Sequence, residues 1–403
     1  HMENRDMWEY TLDLDQQEID WLIEHLWELK DINFDYYFFD ENCSFRLLEL
    51  VEVARPDSQL LTELRFAEVP VNTVRALDDR GLISERHYRP SKAVELDNLR
   101  RQMAPDQQQL ARRLADDPGL MESDAFQQAG AQQQALMVTT AYRYLRLVNR
   151  KGARDPEAAK DSFTLLTEMN RLPKVDVPET VNPEPPESGH GTQMLALAGG
   201  QREGSQDFGE LSYRLTYHDL LDNHYGFLRG AQIQGLGLTL RSTESGDPRL
   251  EELDVVSIRS LAPRNRFSKP LSWYVEGGLE RAWAGRRRLV RYVQGGAGGS
   301  WAMGNWQPYL LTSLRMENNS DFDTFLTPGA GLDAGLLYQR GQWQWQVGSV
   351  GHYFTNDTYR HTSELAVHWA FARQHGLRAS LSREGWRGDG DNEFKLQWRW
   401  YFD

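Results

Sequence analysis

The single cysteine of this 403-residue chain is the side chain with the clearest chemical potential. Cys43 lies in the stretch DENCSFRLLEL, where Asn42 is placed to cap a helix that begins at the cysteine. The N–H groups of a first helical turn and the helix dipole stabilise a thiolate, which favours a nucleophile. Asp40 and Glu41 precede the thiol and would oppose its ionisation if they lie close to it. A buried, inert core cysteine is therefore the competing interpretation.

A thiol nucleophile needs a general base and a group that stabilises an oxyanion. His25, beside the apolar face of a predicted helix, and His87, in the stretch ERHYRPS, are the candidate bases within this chain. The backbone N–H groups of Ser44 and Phe45 are candidate oxyanion donors. Asn42 is predicted to cap the helix or to orient the site.

The composition argues against several other kinds of site. No C-x-x-C, H-E-x-x-H or His/Cys cluster at ligand spacing occurs, so neither a metal nor another cofactor is expected. The glycine-rich stretch GGAGGS at 295–300 lies inside a predicted strand with no helix after it, which is unlike a phosphate-binding loop. A net charge of -14 opposes binding to nucleic acid.

The first 171 residues are predicted to be mostly helical. Asp15 and Glu18 form a capping-box pattern at the start of a helix over 15–30, and Pro56 ends the helix that follows Asn42. An aromatic run at 34–39 has the composition of a strand. Apolar residues at helical spacing predict further helices over 71–79, 91–116, 131–151 and 155–170.

The character of the chain changes after residue 171. Five prolines between 173 and 186 predict an extended linker over 172–188. Beyond it, polar and apolar residues alternate in stretches of about ten residues, as transmembrane strands do. The alternation predicts twelve strands, near 190–199, 208–218, 227–241, 250–261, 271–283, 288–301, 305–316, 326–339, 342–354, 359–372, 375–385 and 392–402.

An even number of long antiparallel strands with aromatic ends predicts a closed outer-membrane β-barrel. Arginine and glutamate on the polar strand faces predict a lumen filled by ion pairs. A soluble barrel shows the same alternation with its apolar face inside, so alternation alone does not orient the faces. The predicted fold class is α+β multidomain, with a mostly helical N-terminal region followed by an antiparallel transmembrane barrel of about 12 strands.

Residues 3–92 resemble the C-terminal part of the Lnb-like periplasmic domain family of Gram-negative envelope proteins, most specifically in DENCS and YRPS. The resemblance implies a permuted papain-like, NlpC-type thiol fold with Cys43 as the nucleophile. Together with the periodicity, it divides the chain into an Lnb-like part (1–92), a helical region (93–171), the linker (172–188) and the barrel (189–403). It places the barrel in the bacterial outer membrane and the N-terminal domain in the periplasm.

The resemblance also implies an activity, because characterised Lnb-like enzymes are lipoprotein N-acyltransferases. It implies an outer-membrane-anchored acyltransferase or hydrolase, with phospholipid as donor and a lipoprotein or other envelope amine as acceptor. The start His1-Met2-Glu3 resembles a vector-derived sequence, and no Gly-His motif precedes Cys43. The partner histidine is therefore expected upstream, and this form of the chain is expected to be inactive.

Two alternatives remain at this stage. One is a non-enzymatic outer-membrane barrel that acts as a narrow channel or an envelope scaffold. The other is a soluble two-domain protein whose β half binds carbohydrate or lipid. They differ in the direction of the apolar strand faces and in the exposure of Cys43.

Overall fold

The computed structural model describes most of the chain, in two compact units. The described residues are 5–35, 42–63, 69–149, 155–177, 180–203, 207–243, 246–283, 287–320, 322, 324–386 and 388–403. One unit, called the helical unit, comprises 1–13, 83–183 and 265–269. The other, called the barrel unit, comprises 14–82, 184–264 and 270–403. A helical N-terminal region followed by a barrel confirms the predicted fold class.

Eight α-helices lie within the described residues. They are α1 (Gln16–Glu28), α2 (Cys43–Ala54), α3 (Pro70–Asp79), α4 (Lys92–Arg101), α5 (Pro105–Leu114), α6 (Asp124–Gln127), α7 (Ala131–Val148) and α8 (Pro156–Arg171). The helix predicted over 91–116 is in fact two helices. Ala104 is extended and Pro105 begins the second helix, because proline lacks an N–H donor and disfavours helical geometry in the residue before it.

The helical unit also contains a small sheet that the sequence did not predict. β1 (Met7–Leu12) pairs antiparallel with β2 (Ile83–Arg89). Each strand is short and its partner lies about 70 residues away in the sequence, so no local hairpin signal marks the pair. Most of the strand-like run at 34–39 lies outside the described residues.

The core of the helical unit forms where α5, α7 and α8 pack together. Met137 and Leu165 are fully buried within it, and Phe267 of the 265–269 segment joins the same cluster. The ring of Phe267 meets that of Tyr144 edge-on, with centroids 5.7 Å apart. No helix among the described residues has the length and apolar character needed to cross a membrane.

The barrel consists of twelve long antiparallel strands, as predicted. They are β3 (Gln193–Arg202), β4 (Phe208–His218), β5 (Ala231–Thr243), β6 (Arg249–Ser260), β8 (Ser272–Trp283), β9 (Arg287–Trp301), β10 (Trp306–Asn318), β11 (Thr327–Arg340), β12 (Trp343–Phe354), β13 (Tyr359–Ala372), β14 (His375–Trp386) and β15 (Asp389–Phe402). Each pairs with its neighbours, and β15 pairs with β3 to close the sheet. A two-residue strand, β7 (Pro263–Arg264), adds a parallel pairing at the end of β9.

The apolar side chains of the strands face outward. On β15, Phe394 and Leu396 are 51% and 49% exposed, whereas Gln397 and Arg399 point inward and are buried. This direction contradicts the soluble-barrel alternative, which needs an apolar interior. An apolar exterior and a charged interior are what a lipid-embedded barrel requires.

Both termini of the barrel lie at one end, called here the terminal end. Tryptophans gather around it, including Trp273, Trp306 and Trp400, each partly exposed. Such a belt marks a membrane interface. The two longest connections between strands, 219–230 and 261–271, lie at the same end. Because the N-terminal domain is attached there, the terminal end is the periplasmic one.

Candidate functional site

Cys43 is the first residue of α2, and its side chain is exposed. The helix is fixed by the side chains of Leu48, Val51 and Ala54, which are buried. Asn42 is buried beside the thiol and caps the helix through its side-chain oxygen. The competing interpretation of a buried core cysteine does not agree with this exposure.

The first-turn N–H groups next to the thiol are already engaged. Asn42 Oδ1 accepts hydrogen bonds from the backbone N–H of Ser44 at 2.9 Å and of Phe45 at 3.3 Å. Each group has one proton to donate, so an oxyanion would have to displace Asn42 to reach it. The predicted role of Ser44 as an oxyanion donor therefore requires a rearrangement of this cap.

The structure gives each candidate histidine a different setting. His25 lies on α1, with Nδ1 3.4 Å from Glu28 Oε2. His87 is exposed on β2, paired with Glu9, and belongs to the helical unit, whereas Cys43 belongs to the barrel unit. Asp40 and Glu41 lie outside the described residues. In the part of the chain that the structure describes, no histidine is hydrogen-bonded to Cys43.

The cap at Asn42 leads to a first prediction. Replacing Asn42 with alanine removes the acceptor for two N–H groups and should destabilise α2 by about 1 kcal/mol. Hydrogen exchange measured by mass spectrometry should show faster exchange over residues 43–54, while Asn42→Asp should preserve the protection. Equal protection in the wild type and Asn42→Ala would contradict the capping role.

The lumen contains buried ion pairs. Sequence analysis predicted such pairs but not which residues form them. Arg241 donates to Glu210 at 2.7 Å and to both carboxylate oxygens of Glu393 at 2.8 and 3.0 Å. Arg259 similarly joins Asp333 at 2.6 Å and Glu276 at 3.1 Å. These side chains come from different strands, so they cross-brace the barrel and occupy its interior.

A further cluster lies at the terminal end, where the connection 219–230 folds into the barrel. Asp219 binds Arg378 and Arg399, and Asp222 binds Arg214 and Arg399, with donor–acceptor distances of 2.6 to 2.8 Å. Both aspartates are buried or nearly so. Sequence analysis did not predict this cluster, because two of its arginines, on β14 and β15, lie 159 and 180 residues from Asp219.

His190 lies beside this cluster, just before β3, and is fully buried. Its Nε2 is 3.8 Å from Asp222 Oδ2, and its Nδ1 is 2.7 Å from the carbonyl oxygen of Gly191. Burial lowers the pKa of His190 from 6.5 to about 4, although the nearby Asp222 carboxylate opposes this shift. The imidazole is therefore neutral at pH 7.

The lowered pKa of His190 predicts a loss of stability in acid. Since the folded state binds this proton less readily than the unfolded state, stability should fall as the pH drops from about 6.5 towards 4. Hydrogen exchange, corrected for the intrinsic rate at each pH, should show residues 219–230 less protected at pH 5 than at pH 7. A His190→Asn variant should show a smaller difference between the two pH values. The same difference in the variant would assign the effect to another group.

The described residues contain no group of three or more His, Cys, Asp or Glu side chains that could hold a metal ion. At the start of α2 the thiol of Cys43 is exposed. In the lumen, ion pairs between strands brace the barrel. These are two different chemical capacities, one reactive and one structural.

Three family models match the sequence. One described as a domain of unknown function, DUF7840, covers residues 183–401, which is more than half of the chain. The model of the Lnb N-terminal periplasmic domain covers residues 1–80. A second domain of unknown function, DUF7842, covers residues 86–181. No curated protein matches the chain.

Several solved outer-membrane proteins are similar to the barrel. A loop-deletion mutant of OmpT from Vibrio cholerae has 10% identity and a TM-score of 0.28, over 52% of this chain and 97% of that chain. The KdgM porin has 13% identity and a TM-score of 0.30, over 52% and 99%. An outer membrane channel from Pseudomonas putida F1 has 12% identity and a TM-score of 0.33, over 57% and 100%. These values do not extend the functions of those proteins to this chain.

Proposed function

Because the chain belongs to the DUF7840 family of domains of unknown function, and its N-terminal residues match the Lnb periplasmic domain, we propose that it is a non-enzymatic envelope scaffold. It is an outer-membrane β-barrel with a periplasmic N-terminal domain. In this proposal the barrel is an anchor, and the periplasmic residues bind envelope partners.

The observation that carries the proposal is the set of ion pairs that cross the lumen. Arg241 and Arg259 each bind two carboxylates from other strands, and the connection 219–230 occupies the periplasmic end. Buried ion pairs held by several hydrogen bonds are costly to break, so they oppose the passage of solutes. This supports a scaffold over a channel.

Planar-bilayer recordings test the scaffold against the channel. The purified barrel, shown to be folded by its heat-dependent mobility on gels, should give no conductance steps above those of bilayers without protein. An Arg241→Ala/Arg259→Ala variant is the informative comparison, because it removes two of the cross-braces. Steady conductance from the wild-type protein would contradict the scaffold and favour the narrow channel.

A second candidate is an outer-membrane-anchored thiol acyltransferase or hydrolase with a papain-like domain. It is supported by the exposure of Cys43 at the start of α2 and by the match to the Lnb domain. The Cys43 thiolate would attack an ester carbonyl of a phospholipid, forming a thioester and releasing a lysophospholipid after proton transfer. An envelope amine, such as that of a lipoprotein, would then attack the thioester, form an amide and return the thiol; water in place of the amine gives hydrolysis.

Intact mass spectrometry separates this candidate from the scaffold. The protein, extended upstream to carry the implied partner histidine, would be incubated with phosphatidylethanolamine vesicles. A fatty-acyl mass increment in the wild type that is absent from Cys43→Ala would favour the thiol enzyme. No increment in either protein, with both folded, would favour the scaffold. His87→Ala tests the base within this chain, since loss of the increment there would assign the role to His87.

A further inference from the structure

The connection 219–230 forms a floor inside the periplasmic end of the barrel. Leu220 and Leu221 are about 5% exposed, and Asp222 and Asn223 are similarly buried. The backbone is held from both sides: Leu220 N donates to Gln232, and Leu220 O accepts from Gln339. Residues 220–223 are therefore packed into the lumen, whereas Tyr225 and Leu228 of the same connection are 38% and 74% exposed.

Above this floor is a polar cavity of about 320 Å³. Asp219, Leu220 and Leu221 form part of its wall, so the segment closes the cavity on one side. The remaining wall carries hydroxyl, amide and charged groups of the strands, among them Ser380 and Gln346. Such a cavity suits a small polar solute that can make several hydrogen bonds.

Ionic contacts fasten the floor to the barrel wall. Asp219 and Asp222 together bind arginines on three strands, Arg214 on β4, Arg378 on β14 and Arg399 on β15. The hydroxyl of Tyr401 also donates to Asp222. These two carboxylates therefore tie the first residues of the segment to three strands of the barrel wall.

The same floor contacts the segment that precedes β3. The His190 ring packs between Phe227 of the floor and Tyr401 of β15, with centroids 4.6 and 4.2 Å away. Its Nε2 is 3.8 Å from Asp222. Any displacement of His190 therefore changes the packing around the carboxylate that fastens the floor.

An arginine of helix α3 binds the backbone of the segment that precedes β3. Arg75 Nη2 donates to the carbonyl oxygen of His190 at 2.8 Å and to that of Gly189 at 3.0 Å. Its Nη1 binds the Asp403 carboxylate at 2.8 Å. Arg75 is thus separated from the floor by only one residue, His190.

We propose that this floor, residues 219–230, acts as a movable lid that closes the periplasmic side of the luminal cavity. The contact of Arg75 on α3 with the His190 backbone holds this lid closed. Release of α3 frees the His190 carbonyl oxygen, while Arg373 still holds those of Glu187 and Gly189; the freed His190 loosens Asp222 and opens the cavity to small polar solutes from the periplasm. This goes beyond the scaffold function, because it gives the periplasmic residues control over a compartment in the barrel. The coupling runs through two contacts within the barrel unit.

Labelling of a cysteine placed in the cavity tests the lid. The background is Cys43→Ser, which removes the only native thiol, and Ser380→Cys puts the reporter in the cavity wall. The reagent is a small positively charged methanethiosulfonate, and the rate is read by intact mass. Asp222→Asn and Arg75→Ala should each label about tenfold faster or more than the reporter alone, the factor expected when charge-assisted hydrogen bonds are lost.

Arg55→Ala is the matched control. Arg55 also lies in the periplasmic part of the barrel unit and forms a bidentate ion pair with Glu18 at 2.6 and 2.7 Å, but this pair joins the end of α2 to α1. Its labelling rate should equal that of the reporter alone. The double variant Arg75→Ala/His190→Ala should label no faster than the faster of its two single variants, because both act on one contact path.

The labelling rates test two claims separately: that 219–230 is a lid, and that α3 controls it. Unchanged labelling in both Asp222→Asn and Arg75→Ala would overturn the lid. Faster labelling only in Asp222→Asn would overturn the coupling to α3. Equal acceleration by Arg55→Ala would also overturn it, since any loosening of the periplasmic residues would then suffice. Heat-dependent gel mobility verifies that each variant is folded, and Arg75→Ala removes no charge from the lumen.

Discussion

Replacing Glu317 with alanine is expected to lower the free energy of unfolding of the barrel by about 3–5 kcal/mol. Glu317 is fully buried in the lumen and accepts two hydrogen bonds from Arg360, at 2.6 and 3.0 Å, and one from Arg315 at 2.8 Å. Without the carboxylate, two buried guanidinium groups lose a shared counter-charge. Reversible urea unfolding from phospholipid vesicles, followed by tryptophan fluorescence, measures the change.

Arg249→Ala is the control for the Glu317 prediction. Arg249 also belongs to a barrel strand, but its side chain is 42% exposed and its Nε is 3.8 Å from Glu251. Loss of such a partly exposed pair should cost about 0–1 kcal/mol. If Glu317→Ala and Arg249→Ala changed the stability equally, the luminal ion pairs would not be what braces the barrel.

The second large effect is expected on the outer wall. Leu332→Arg should destabilise the barrel in lipid vesicles by about 2–4 kcal/mol, because it places a charge near the middle of the bilayer. Leu332 is 57% exposed and lies near the middle of β11, with its neighbour Asp333 buried in the lumen. The same urea unfolding experiment gives the change in free energy.

Leu326→Arg provides the comparison at another depth. Leu326 is 47% exposed and directly precedes β11, at the end of the barrel away from the chain termini. A charge near an interface costs about 0–1 kcal/mol, so this variant should be almost as stable as the wild type. No loss of stability from Leu332→Arg would mean that this wall faces water.

These two predictions test the two surfaces on which the proposed function depends. Lipid contact on the outer wall makes the barrel an anchor, and ion pairs in the lumen keep it closed. With the barrel so defined, the choice between scaffold and thiol enzyme rests on Cys43. Its exposure permits chemistry, but the capping bonds of Asn42 occupy the nearest N–H donors.

Local patterns were enough to predict most of the architecture. The capping box at Asp15 and Glu18, the helix start at Cys43 and the twelve strands all depend on residues close together in the sequence. Such features follow from hydrogen bonds to nearby N–H groups and from side-chain periodicity. The β1–β2 pair escaped prediction because its partners lie far apart and each strand is short.

The sequence by itself determined the number of strands, their alternation and the position of the thiol at a helix start, because these are set by neighbouring residues. Only the tertiary structure decided which strand face meets lipid, since a period of two is the same for either direction. It alone joined Arg75 to Asp403, 328 residues away, and brought Asp222 to Arg399. The Asp222–Arg399 contact exists only after the sheet closes, because closure places β15 beside β3 and so close to the connection that follows β4.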